Sequence, residues 1–287
     1  MHVAVVNDRL TTFVDGGAID VERESGGRFG HDIVDVYPRW EEFAEWGRSI
    51  GASGGGEVSP GSLGAPSPAP SQVLAISLNY RDHAEEANLD IPDFPSVFTK
   101  FPSSLTGPSA TVALATDTTD WELELVVVIG RAGHRIPESE GWDHVAGVTI
   151  GFDISDRTMQ LAGPLPQFSF GKSFPGYGPI GPWLVTPDEL VDRDDIGMRL
   201  TLDGEVVQDF RTQALIFDIP RLISLLSTVV TLRPGDLIFS GTSSGVGFSR
   251  EPKRFLAPGQ RLVGEVEGVG VLETLLSGPD DEAGTAA

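Results

Sequence analysis

The hydrophobic pattern of the chain changes period several times. Leu123-Glu124-Leu125-Val126-Val127-Val128-Ile129 is apolar on both faces of an extended segment, which predicts a strand buried on both sides. Val148-Thr149-Ile150-Gly151-Phe152 reads as a second such strand, ending at Asp153. Residues 198–202 and 206–210 flank Asp203-Gly204, a two-residue hairpin signal. Residues 261–267 and 269–276 form another hairpin, turning at Gly268. Helical spacing places Ile219, Leu222, Ile223 and Leu226 on one face of 218–227, with Pro220 tolerated in the first turn. Leu237-Ile238-Phe239-Ser240 reads as a strand entering the glycine-punctuated run Gly241-Thr242-Ser243-Ser244-Gly245-Val246-Gly247. At the start of the chain, 3–6 and 12–14 flank a turn and lead into Asp15-Gly16-Gly17, the mark of a hairpin or meander. Strands outnumber helices, so the predicted class is α+β and β-rich.

Composition divides the chain. Residues 1–50 read as a small N-terminal domain, and the Gly/Pro/Ser-rich run 51–71 as a linker or surface loop. Residues 72–278 form the main body, and 279–287 read as a disordered tail. The net charge of −22 repels nucleic acid and anionic membrane, so neither is expected as a partner. It repels an anionic substrate as well, so a site for an acid needs a local cation. With no cysteine, thiolate chemistry, disulfides and iron–sulfur clusters are excluded. No targeting run or membrane-length apolar stretch is seen, and the expected location is the cytoplasm.

Glu122 and Glu124 stand two apart where a strand begins, so both carboxylates share a face. Ionised side by side at a buried strand, they need a cation between them. Oxygen donors alone favour magnesium or manganese, or calcium. Asp153, at the end of the next apolar strand, is a candidate third ligand, or else the cap of a helix over 154–161. His83 and Glu86 are three apart and adjacent on a helix, a spacing that suits a carboxylate-aligned general base. Lys172, one of only three lysines, is either a charge stabiliser or a surface side chain. The loop after Pro234-Gly235-Asp236 has backbone N–H groups and the Thr242 hydroxyl that can cradle a carboxylate.

Taken in order and spacing, these segments resemble the fumarylacetoacetate hydrolase family over about residues 72–276. The resemblance is carried by Leu78-Asn79-Tyr80-Arg81-Asp82-His83, Glu122-x-Glu124, Asp153 to Gln160, and Gly171-Lys172-Ser173. Gly178-Pro179-Ile180-Gly181-Pro182 and Gly241-Thr242 belong to it as well. It implies a mixed β-sandwich roll behind a small N-terminal domain, and a homodimer. It implies Glu122, Glu124 and Asp153 as ligands of a divalent cation, and His83 and Glu86 as a water-activating dyad on a lid. Lys172 would sit near the reacting carbonyl, Arg157 and Gln160 would line the site, and Thr242 would contact the substrate carboxylate. Thr158 and Ser243 depart from the family pattern, which commonly has aspartate and proline there. The leading expectation is hydrolysis of a C–C bond in a small 1,3-diketo acid. The alternative is decarboxylation of an oxaloacetate-like acid or keto–enol isomerisation of a dienoate on the same metal site. A non-catalytic metal- or acid-binding module is the third reading.

Overall fold

A computed structural model describes residues 1–51, 56, 58–86 and 88–279. The expected linker is therefore described only in part. Beyond residue 279 the expected disordered tail lies outside the described residues.

The strand Leu123–Ile129 forms as its pattern predicts, and every residue in it is buried. It lies inside a large mixed sheet. On one side it pairs antiparallel with Val145–Phe152, which pairs in turn with Gly178–Val185. On the other side it pairs with Leu237–Phe239, followed in parallel by Val73–Ser77 and then by the edge strand Ser96–Thr99. A second sheet runs in the order Glu205–Arg211, Gly197–Leu202, Arg261–Val266, Gly270–Ser277, Thr111–Ala113. Asp203 and Gly204 turn its first hairpin with φ of 51° and 84°, the left-handed pair that a two-residue connection requires.

Alternation along Leu123–Ile129 shows why both faces had to be apolar. Leu123, Leu125, Val127 and Ile129 join the core that includes Leu200, Leu262 and Leu272 of the second sheet and Leu222 and Ile223 of the helix Ile219–Ser227. Val126 and Val128 join a different core, with Val3, Val5, Leu10, Phe43, Leu184 and Phe239. Asp218 caps that helix by accepting from the Arg221 N–H, with Pro220 in the first turn.

The second core draws on residues from both sides of position 50. His2–Val6 hydrogen-bonds to Gly178–Val185, with His2 opposite Val185, so the first strands extend the large sheet. Their side chains fill one core together with residues from the main body, so 1–50 does not form a core of its own.

Asn79 ties the segment leading to the helix Arg81–Glu86 into this frame. Its buried amide donates to the carbonyls of Phe217 (3.0 Å) and Ser240 (2.7 Å) and accepts from the Phe217 N–H (2.8 Å). Asn79→Ala should cost about 2–4 kcal/mol, because it leaves buried backbone groups without partners. Denaturant unfolding that shows a loss below about 0.5 kcal/mol would mean that those groups find other partners.

Candidate active site

Glu122, Glu124 and Asp153 converge. One carboxylate oxygen from each lies within 4.8 Å of the others, and all three residues are buried. Pairing of Leu123 with Phe152 brings the start of one strand to the end of the other, and the Asp153 N–H donates to the Glu122 carbonyl at 2.9 Å. Asp153 is not a helix cap. That role falls to Asp156, which accepts from the Met159 N–H at the head of the short helix Arg157–Gln160.

Cations surround the cluster. Lys172 is buried, not at the surface, and its Nζ bridges Glu122 Oε2 (2.7 Å) and Asp153 Oδ2 (2.6 Å). Lys100 Nζ donates to Asp153 Oδ1 at 2.7 Å and to the Lys172 carbonyl. Arg157 Nη2 bridges Asp120 Oδ2 (2.7 Å) and Glu122 Oε1 (2.8 Å), while Nη1 donates to Gln160 Oε1 at 2.8 Å.

His83 and Glu86 sit on the helix Arg81–Glu86, with Nδ1 and Oε2 3.2 Å apart. The helix is fastened to the glycine loop. The Gly245 N–H donates to Glu86 Oε1 at 2.9 Å, and Ser244 Oγ to Asp82 Oδ2 at 2.8 Å. A cavity of about 220 Å³ is lined by His83, Glu122, Arg157, Gln160, Lys172 and Thr242. Phe98, Phe168, Val246 and Phe248 supply apolar wall. In a wider groove of about 630 Å³ beside Trp183, Arg199 is paired with Asp209, and Arg211 with Asp195 and Glu267.

The loop expected to cradle a substrate carboxylate instead holds carboxylates of the protein itself. Gly241 N–H donates to Glu124 (2.6 Å), Gly245 to Glu86, and Gly247 and Phe248 to Asp120 (2.7 and 3.0 Å). Thr242 lines the cavity, and its hydroxyl donates to the Leu123 carbonyl (2.8 Å) and accepts from Gln208 Nε2 (2.9 Å). Lys100, Asp120 and Gln208 were not singled out by spacing. The scarcity of lysine was the available signal for Lys100, because a chain that uses arginine seventeen times and lysine three has two of the three buried here.

A model of the fumarylacetoacetate hydrolase C-terminal region matches residues 72–276. The chain belongs to the fumarylacetoacetate hydrolase family. The human mitochondrial oxaloacetate tautomerase FAHD2A is 40% identical over 210 residues, 72% of this chain and 67% of that protein. A Mycobacterium smegmatis crystal structure provisionally assigned as HpcE superposes with a TM-score of 0.94 at 48% identity, covering 98% of this chain and 100% of that one. A Mycobacterium abscessus structure, provisionally a 2-hydroxyhepta-2,4-diene-1,7-dioate isomerase, gives 0.81 at 27% identity over 96% and 98%. The β-rich fold is thus that of the family, whose members are enzymes acting on small keto acids. No helix among the described residues is long and apolar enough to cross a membrane.

The electrostatics of this family member are uneven. Four buried carboxylates (Asp120, Glu122, Glu124, Asp153) meet three buried cations (Lys100, Arg157, Lys172). Burial pushes Glu122 up, but Lys172 and Arg157 outweigh it and hold the carboxyl at about 2. Burial, with Asp153 and Glu122 adding repulsion, pushes Glu124 well above the usual carboxylate range. Among the described residues Glu124 forms no ion pair, and only the Gly241 N–H bonds it. Burial lowers Lys100 despite its pairing with Asp153, whereas Lys172 is raised, because Asp153 and Glu122 outweigh its burial. A buried, all-oxygen donor set with one uncompensated carboxylate fits a hard divalent cation held by Glu122, Glu124 and Asp153.

Proposed function

We propose that this enzyme moves a proton between carbon and oxygen of a small 2-oxo acid, as a keto–enol tautomerase or dienoate isomerase. The observation that carries this reading is the shared cavity. A histidine aligned by a carboxylate faces the same small space as the buried cations and Glu122. The likeness to the human oxaloacetate tautomerase supports it.

A magnesium or manganese ion on Glu122, Glu124 and Asp153 would supply a Lewis acid that polarises the 2-oxo group. The rest is done by the protein. Glu86 keeps the proton on His83 Nδ1 and leaves Nε2 as the base. His83 then takes a proton from the carbon next to the oxo group and delivers it to the enolate oxygen, and in the reverse direction carries it from oxygen back to carbon. Lys172 donates to the oxygen on which charge develops, and Arg157 holds Gln160 at the cavity wall. The Phe98 and Phe248 rings and the lid helix limit access of water to the site.

A second reading, C–C hydrolysis of a 1,3-diketo acid, is favoured by the same dyad, since an aligned imidazole can also deprotonate water. A panel of oxaloacetate, dienoate acids and acylpyruvates, assayed with magnesium, manganese and calcium, separates the readings. Loss of enol absorbance with no new carboxylate and no carbon dioxide is the expected result. New carboxylate from acylpyruvates alone would replace it with hydrolysis, and carbon dioxide release would replace it with decarboxylation.

A further inference from the structure

We propose that Asp120 is a positioning residue of this site: it keeps Arg157 charge-balanced and pins the cavity wall, leaving Glu122 able to hold a divalent cation. The inference rests on the reading of Glu122, Glu124 and Asp153 as a metal site.

Asp120 is fully buried and sits in a short strand, Thr119–Asp120, paired with Ser155–Asp156. That pairing places it beside the helix that carries Arg157. Its two oxygens serve different sides. Oδ1 accepts from the N–H groups of Trp121 (2.9 Å) and Gly247 (2.7 Å). Oδ2 accepts from Arg157 Nε (3.0 Å) and Nη2 (2.7 Å) and from the Phe248 N–H (3.0 Å). Gly247 is needed for this approach, because a Cβ there would meet the Arg254 carbonyl at 1.9 Å and Asp120 Oδ1 at 2.7 Å.

Arg157 reaches Glu122 with the same Nη2 that Asp120 holds. If Asp120 lost its charge, the guanidinium would have Glu122 as its one anionic partner and would oppose an incoming cation. Val246 and Phe248 form wall of the cavity, and Asp120 holds this stretch by accepting from the N–H groups of Gly247, which follows Val246, and of Phe248. One carboxylate therefore sets both the charge behind Glu122 and the position of the wall in front of it.

The test is a charge cycle, read as manganese binding by titration calorimetry on the purified full chain. Asp120→Asn leaves Arg157 unbalanced and should weaken manganese binding about tenfold or more, because charges a few ångströms apart in a buried site interact strongly. Arg157→Met removes the opposing cation and should bind manganese at least as tightly as wild type. The double variant restores the balance and should return to within about threefold of wild type. A merely structural role predicts the opposite, a double variant worse than either single one, and that result would overturn the inference. So would an unchanged Asp120→Asn titration beside a wild type that binds. If Asp120→Asn fails to fold, Arg157→Met against the double variant decides: with the guanidinium gone Asp120 has no cation to balance, so the two affinities should agree within about threefold, and a double variant about tenfold or more weaker overturns the proposal. A wild type that binds no manganese would remove the metal reading and this inference together.

Discussion

Turnover should fall to background in excess EDTA and return with magnesium or manganese. The physical reason is Glu124, a buried carboxylate with, among the described residues, a single backbone N–H for a partner and two like charges close by. A cation that binds the assembled site and hardly binds the unfolded chain stabilises the fold. At a hundred times its dissociation constant the gain is about 2.7 kcal/mol. For a chain of this size that corresponds to a rise in melting temperature of about 5–10 °C. The sign of the pH dependence follows from Glu124. Its carboxyl is raised in the fold by burial, Asp153 and Glu122. A raised acid stabilises the fold at low pH and ceases to do so as the pH climbs through its folded value. The metal-free protein therefore weakens toward high pH, and a cation has no proton left to displace, so the metal-induced shift should be larger at pH 8 than at pH 6. Glu124→Gln keeps an acceptor for Gly241 but removes the charge, and should flatten the shift. The same metal-dependent shift in that variant would place the ion elsewhere on this acidic protein.

Local pattern carried the strand Leu123–Ile129, the Asp203-Gly204 hairpin and the helix Ile219–Ser227, because each depends on neighbours in sequence. The spacing of Glu122 and Glu124 likewise needed only the two-residue repeat of a strand. What the sequence left unread depends on long-range pairing. His2 meets Val185 across the sheet, and nothing in a glycine- and proline-rich run at 51–71 says whether the strands before it join the sheet after it. Asp153 can be read in sequence as a ligand or as a helix cap; the structure gives the cap to Asp156, which accepts from the Met159 N–H, and pairs Asp153 with two buried lysines. The importance of Asp120 appears only once Arg157 and the Gly247 loop are brought to it. The glycine spacing marks the loop as a source of backbone N–H groups, but their acceptors lie more than a hundred residues away in Glu124 and Asp120.

The second large effect is expected at the lid. His83→Ala should lower the rate by about 10²–10⁴-fold, the usual contribution of a positioned acid–base group. The manganese-dependent rise in melting temperature should stay nearly unchanged, since His83 is no part of the carboxylate cluster. Glu86→Gln should be milder on the chemistry but should also loosen the lid. It removes the charge that aligns Nδ1, while its amide oxygen can still accept from the Gly245 N–H. The pairing also lowers the Glu86 carboxyl: burial opposes ionisation, but the bonds from His83 and Gly245 outweigh it, so the charge that aligns His83 persists at neutral pH. The substrate panel gives the His83 variant its discriminating power. If the imidazole moves the proton in keto–enol exchange, tautomerisation and any hydrolysis should fall together. If it serves only to deprotonate water, acylpyruvate cleavage should vanish while tautomerisation survives. A variant with near-normal rates on every substrate, at full metal occupancy, would remove the dyad from the mechanism and leave Lys172 as the buried proton carrier to test next.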